Sequence, residues 1–145
     1  MKRRIMPDKF FVDTNILLYA HDRSAGVKHE RAHQLLERLW TSEEGVLSTQ
    51  VLQEFCINLR RKVARPLPME EVRQIIQDYL SWEIVVNTPA STLHALEIEI
   101  RYQISFWDAL ILQAAESAGA SVVYSEDLGA GQKYGSVQVV NPLLG

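Results

Sequence analysis

Short apolar runs alternate with longer stretches of helical spacing along this chain, and that alternation restricts the fold more than any other feature. Phe10-Phe11-Val12, Gly45–Ser48, Trp82–Val86, Ser121–Tyr124 and Val137–Val140 have strand length and strand composition. Between them lie helical segments: Ile16 to Tyr19, Lys28 to Trp40, Gln50 to Lys62, Met69 to Leu80, Ser91 to Tyr102, and Phe106 to Ala118. Ala32, Leu35, Leu36 and Leu39 repeat at helical intervals, as do Leu52, Phe55, Cys56 and Leu59. Pro66 and Pro68 separate two helices, Gly119 is placed to cap another, and Gly129 to Gly135 reads as a loop. Strands alternating with helices predict an α/β fold with a central parallel sheet of about five strands. No repeat, linker or low-complexity tract divides residues 1–145, so one domain is expected.

An open parallel sheet gathers its sites at the carboxyl ends of its strands, which directs attention to the acids found there. Asp13 follows the first strand and opens a helix. It can be an N-cap, accepting hydrogen bonds from free backbone N–H groups, or a ligand. Asp127 follows the fourth strand in Tyr124-Ser125-Glu126-Asp127-Leu128, where turn chemistry competes with a site role and Glu126 competes with Asp127. Asp108 shares a helical stripe with Ile111, Leu112 and Ala115, which should face the core. A carboxylate there needs a partner. Ser105, three residues earlier, also permits a capping box. Glu54 lies off the apolar face of its helix, near Gln50 and Asn58, and by itself reads as a solvated side chain.

As a set, the four acids have a sharper meaning. Two unit charges about 4 Å apart repel by roughly 4 kcal/mol at an effective dielectric of 20. Protons or cations must relieve such a cluster. Hard divalent cations such as Mg²⁺ favour carboxylate oxygens and keep part of their water. Such ions can activate water and stabilise a leaving oxygen in phosphodiester hydrolysis.

Four segments carry a family resemblance. They are Phe11-Val12-Asp13-Thr14-Asn15-Ile16-Leu17, Ser48-Thr49-Gln50-Val51-Leu52-Gln53-Glu54-Phe55, Ser105-Phe106-Trp107-Asp108-Ala109-Leu110-Ile111, and Tyr124-Ser125-Glu126-Asp127-Leu128 with the tail Val139-Val140-Asn141-Pro142. In this order and spacing the chain resembles PIN-domain nucleases, in particular the VapC-like toxins of type II toxin–antitoxin modules. The resemblance implies a three-layer α/β/α PIN-like domain and Mg²⁺- or Mn²⁺-dependent endoribonuclease activity. It implies that Asp13 and Asp108 are the principal catalytic metal ligands, with Glu54 and Asp127 completing the ring. Thr14, Asn15 and Ser125 would hold these carboxylates by hydrogen bonds. Ser125 stands where many relatives have Thr and keeps the hydroxyl. The implied partners are an RNA substrate, a cognate antitoxin protein and a second copy of the chain. A stand-alone nucleic-acid-binding or processing protein on the same fold is the alternative.

Other features bound these expectations. The net charge of −3 is not that of a protein binding nucleic acid through a basic excess. Positive charge is local, in Lys2, Arg3 and Arg4 and in Arg60, Arg61, Lys62 and Arg65. The second cluster is a possible RNA or partner contact, or a solvated helix end with favourable dipole contacts. His29-Glu30-Arg31-Ala32-His33 fits H-E-x-x-H, but charged neighbours and the absence of a compelling third ligand favour a solvated helix face. His21 reads as a surface residue, with a position that could approach substrate. A receiver domain would need an Asp after the third strand and a Lys after the last. Asn87-Thr88 follows the third, and no Lys follows the fifth. An aspartyl phosphatase would need Asp at position 15, which is Asn. Cys56 stands alone, the first residues lack a signal-peptide apolar region, and no run is long and apolar enough to span a bilayer. A cytoplasmic location without membrane contact is the expectation.

Overall fold

The computed structural model describes residues 8–61, 63–129 and 131–144. Lys2, Arg3, Arg4 and Lys62 therefore lie outside the described residues. The chain runs β1 (Phe10–Val12), α1 (Thr14–Ala20), a short 3-10 turn (Arg23–Ala25), α2 (Val27–Ser42), β2 (Gly45–Ser48) and α3 (Thr49–Arg61). It continues through α4 (Met69–Tyr79), β3 (Glu83–Val85), α5 (Pro89–Tyr102), α6 (Phe106–Ala118), β4 (Val122–Tyr124), β5 (Lys133–Tyr134) and β6 (Val137–Val140). The strands form one sheet in the order β3-β2-β1-β4-β6-β5.

β1 pairs in parallel with both β2 and β4, placing Phe10 between Gly45 and Val122. β3 joins β2 and β6 joins β4, also in parallel. From β1 the chain steps outward to β2 and β3, then returns past β1 to β4. Right-handed crossovers place the helices of the outward leg on one face and α5 and α6 on the other. The packing agrees: α1 lies against α2 and α3, α3 against α4, and α5 against α6. This is the expected three-layer arrangement, and it makes the β1/β4 boundary the switch point of the sheet. Phe11, Val12, Leu47 and Val123 are fully buried at the sheet centre, with Ile16, Phe55, Leu59, Ala109 and Ala115 packed over them.

One element departs from the expectation. Lys133–Tyr134, within the anticipated Gly-rich loop, is a sixth strand running antiparallel to β6. It is too short to show alternation. Gly135, with φ +62, makes the tight return that brings Tyr134 opposite Val137. α5 also starts two residues before the expected Ser91, because Pro89 follows a Thr88 capping box with Ser91. Gly45 is required at the start of β2: a Cβ there would lie 2.3 Å from the Trp82 ring. Among the described residues, no helix is long and apolar enough to cross a membrane.

Candidate metal centre

The carboxyl ends of β1 and β4 open into a cavity of about 480 Å³ lined by Asp13, Glu54, Asp108 and Asp127, together with Thr14, Asn15 and residues of α3 and α6. Each acid arrives from a different element. Asp13 ends β1 and caps α1, where its Oδ1 accepts from Thr14 N at 2.7 Å. Its N-cap role and its place in the cavity are compatible, because a carboxylate oxygen that accepts one hydrogen bond keeps a further lone pair. Asp127 comes from the loop after β4, Glu54 from the second turn of α3, and Asp108 from the first turn of α6.

Three of these acids are held by a neighbouring donor. Ser125 Oγ, fully buried, donates to Asp13 Oδ2 at 2.8 Å. Thr14 Oγ1 donates to Glu54 Oε1 at 2.7 Å. Asn15 Nδ2 donates to Asp127 Oδ2. Ser125 also accepts from Leu128 N at 3.2 Å, which folds the post-β4 loop so that Asp127 turns toward Asn15. Glu54 is exposed to solvent, as its helical position implies, yet it faces this cavity and not bulk solvent alone. The Asp108 carboxylate has no hydrogen-bond partner among the described residues. Ser105 accepts from Asp108 N at 3.1 Å, so the serine half of the anticipated capping box forms without the carboxylate half.

The neighbouring Glu126 faces elsewhere. Its Oε2 takes Lys28 Nζ at 2.6 Å, and its Oε1 accepts from Tyr19 Oη at 2.8 Å. The Lys28 contact first, and the Tyr19 hydrogen bond after it, hold the Glu126 carboxyl below the usual range. Of the two alternatives in this loop, Asp127 is the one lining the cavity.

Burial pushes the Asp13 carboxyl up to about 6; the Ser125 and Thr14 hydrogen bonds oppose this, while the nearby charges of Glu54 and Asp108 add to it. Retaining negative charge here is therefore costly without a cation. Among the described residues, no three His, Cys, Asp or Glu side chains are gathered closely enough to enclose one ion. Mg²⁺ can bind through one or two carboxylates and fill its remaining positions with water and substrate phosphate. The all-oxygen donor set fits the same ion and Mn²⁺.

The chain matches the PIN domain family model over residues 10–134. It belongs to the PIN domain family. A search of curated proteins finds no match. Among solved structures, this PIN domain is similar to Mycobacterium tuberculosis VapC20, described as a Sarcin-Ricin loop cleaving toxin. The identity is 22%, the TM-score 0.64, and the match covers 83% of this chain and 91% of that one. It is also similar to a chain of a toxin–antitoxin complex from Klebsiella pneumoniae, at 18% identity and TM-score 0.68, covering 93% and 98%. A chain of DNA-bound VapBC from Salmonella typhimurium gives 18% identity and TM-score 0.64, covering 92% and 97%. At these identities the likeness is one of fold.

Other candidates fall outside the cavity. Arg60, Arg61 and Arg65 are not among its lining residues. His29 Nδ1 lies 2.9 Å from Tyr19 O and His33 Nε2 lies 2.7 Å from Glu37, with the two His rings stacked on the α2 surface. His21 corrects its surface reading. It is half-buried against Phe55 and Tyr79, with Nε2 2.8 Å from Tyr79 Oη, and burial lowers its pKa to about 4. Conversely, Gln50, Gln53, Ile57, Asn58 and Trp107 line the acidic cavity although the sequence reading did not select them. The signal was present: positions 50, 53, 54, 57 and 58 form one helical stripe that includes Glu54.

Proposed function

We propose that this PIN domain is a metal-dependent endoribonuclease and the toxin component of a toxin–antitoxin pair. The observation that carries the reading is the convergence of four carboxylates from four elements on one open cavity, three of them held by neighbouring hydroxyl or amide donors. Family membership and the toxins named among the similar folds support it.

Asp13 and Asp108 would be the main holders of one or two Mg²⁺ or Mn²⁺ ions, with Glu54 and Asp127 binding directly or through water. When bound, the metal supplies charge neutralisation for the phosphodiester and lowers the pKa of the attacking water. The residues of the chain set the geometry. Ser125 and Thr14 N fix both oxygens of Asp13, so its lone pairs keep one direction through the reaction. Thr14 and Asn15 orient Glu54 and Asp127 in the same way, one donor for each acid. Without a cation the four acids repel a phosphate, so a bound metal would favour entry of an RNA backbone. A cognate antitoxin protein would silence the enzyme by occupying this cavity, and a second copy of the chain would complete the working unit.

The test is cleavage of total cellular RNA by purified protein, with new 5′ ends mapped by sequencing, in Mg²⁺, in Mn²⁺ and in chelator, beside Asp13→Asn. New ends that require metal and vanish in the variant support the reading. Folded, inhibitor-free protein that makes no new ends under either metal refutes it, and DNA becomes the next substrate.

A further inference from the structure

Two features of the cavity wall are not used in holding a metal. Trp107 is 62% exposed, directly beside Asp108 at the start of α6. Phe106 packs edge-on against its indole, with centroids 5.4 Å apart and planes at 77°, which braces the ring while leaving most of it open to solvent. Across the cavity, Gln50 is more than nine-tenths buried, and its Oε1 is sequestered without a hydrogen-bond partner among the described residues. Native structures seldom leave such an atom unmet, and turning the amide of this cavity-lining residue would bring it to a ligand there. Gln53 and Asn58 extend the same wall with two more amides, and Ile57 adds an apolar surface.

We propose that Trp107 and the α3 amides of Gln50, Gln53 and Asn58 form a nucleobase-binding subsite next to the carboxylates. One unpaired base stacks on the Trp107 indole while the amides read its edge. The inference rests on the ribonuclease reading and deepens it, by assigning the residues that choose where the chain is cut.

The chemistry of the wall selects the ligand. Among the described residues, the cavity lining contains no Lys or Arg, so none of them gives a phosphate a cationic partner on this wall. Apart from the carboxylates themselves, its groups are neutral: a flat aromatic face and amides that donate and accept. A nucleobase presents the complementary pair, a π face and an edge of donors and acceptors. Asn and Gln amides pair with base edges, and rotating the Gln50 amide exchanges its donor and acceptor ends. A cavity of about 480 Å³ falls within the roughly 300–1,000 Å³ of small-molecule sites. A base splayed onto Trp107 would leave its own phosphate next to Asp108, so base choice and cut position become linked. Splaying requires an unpaired nucleotide at this position.

The test uses the full chain and two readouts. First, Asp13→Asn protein, which does not cut, is titrated with a short single-stranded RNA of mixed sequence and with the same strand carrying abasic positions, following tryptophan fluorescence. The chain has three Trp, so the double variant with Trp107→Phe isolates the Trp107 signal. Intact RNA should quench Trp107, and abasic RNA should bind roughly 5- to 150-fold more weakly. Second, ends made from total RNA are mapped for wild type, Trp107→Ala, Trp107→Phe and Gln50→Leu. Trp107→Ala should flatten the base preference beside the cut, Trp107→Phe should retain it, and Gln50→Leu should change which base is preferred. Trp107 is exposed, so its variants should keep the wild-type melting temperature; Gln50→Leu gives an independent check from the other wall.

If wild type makes no metal-dependent ends, the ribonuclease reading fails and the subsite with it. If ends appear with the same flanking bases in wild type and Trp107→Ala, and abasic RNA binds as tightly as intact RNA, the subsite is overturned while the nuclease stands. Loss of a co-purifying protein partner in Trp107→Ala, with both RNA readouts unchanged, also overturns it and gives the face to a protein.

Discussion

Ser125 Oγ donates to Asp13 Oδ2 at 2.8 Å, joining residues 112 positions apart across the adjacent ends of β4 and β1. The serine is fully buried and its hydrogen bond favours the charged carboxylate, opposing the desolvation that pushes Asp13 upward. Ser125→Ala should therefore raise the Asp13 pKa further and release one of its oxygens. Cleavage at neutral pH should fall roughly 10- to 100-fold, and the acidic limb of the pH–rate profile should move to higher pH. Ser125→Thr keeps the hydroxyl and should restore both. An unmoved profile in Ser125→Ala would deny the serine this role.

The Asp13 carboxyl, at about 6 in the fold against an ordinary 3.8, also predicts how stability depends on pH. Between these values the folded protein holds a proton that the unfolded chain has released. Stability of the metal-free protein from this group is thus present below about pH 4 and is lost as pH rises through about 6. The shift of roughly two units corresponds to at most about 3 kcal/mol. In chelator, Asp13→Asn should flatten this slope and raise the melting temperature near pH 7. Added Mg²⁺ should stabilise wild type more at pH 7.5 than at pH 5, because it binds the deprotonated acid. Thermal melts across pH, with chelator and with Mg²⁺, check all three outcomes. A wild-type chelator melt that is flat from pH 4 to pH 7 would contradict the burial of this charge.

The post-β4 loop gives two adjacent carboxylates different surroundings. Glu126 is tied to Lys28 and Tyr19, whereas Asp127 faces the cavity beside Asn15. Glu126→Gln should keep activity within about threefold, because both Glu126 oxygens are engaged by Lys28 and Tyr19 and the residue does not line the cavity. Asp127→Asn should lower cleavage at least tenfold without changing the melting temperature much. Steady-state rates on one mapped RNA substrate decide it, and the reverse ranking would move the fourth acid to Glu126.

Much of this was legible in the sequence because each signal was local. Phe10-Phe11-Val12 followed by an acid and a helix reveals both β1 and its cavity-lining end, and the core stripe of α2 is visible in Ala32, Leu35, Leu36 and Leu39. What was not legible depends on distant packing. Glu54 looks solvated on its own helix, and only the Thr14 hydroxyl from α1 shows what it faces. His21 has no local sign of burial; Phe55 and Tyr79 enclose it from α3 and α4. β5 is two residues long, below the length at which strand alternation can be read. The amide wall of Gln50, Gln53 and Asn58 required knowing that α3 turns that stripe toward β1 and α6.

At the start of α6, the helix cap and the cavity-lining carboxylate belong to different side chains and can be separated. Ser105 Oγ accepts the Asp108 N–H at 3.1 Å, while the Asp108 carboxylate faces the cavity without a protein partner among the described residues. Ser105→Ala removes the cap and should cost about 1 kcal/mol, lowering the melting temperature while cleavage at moderate temperature persists. Asp108→Asn keeps the backbone N–H and therefore the cap. It also removes one of the charges that raise the Asp13 pKa, so the metal-free protein should be as stable as wild type or more so. Its cleavage should disappear. Melting temperature and cleavage rate, measured on both variants, should thus respond in opposite ways. If Asp108→Asn unfolds, the carboxylate serves the helix start and the active centre must be rebuilt from the other three acids.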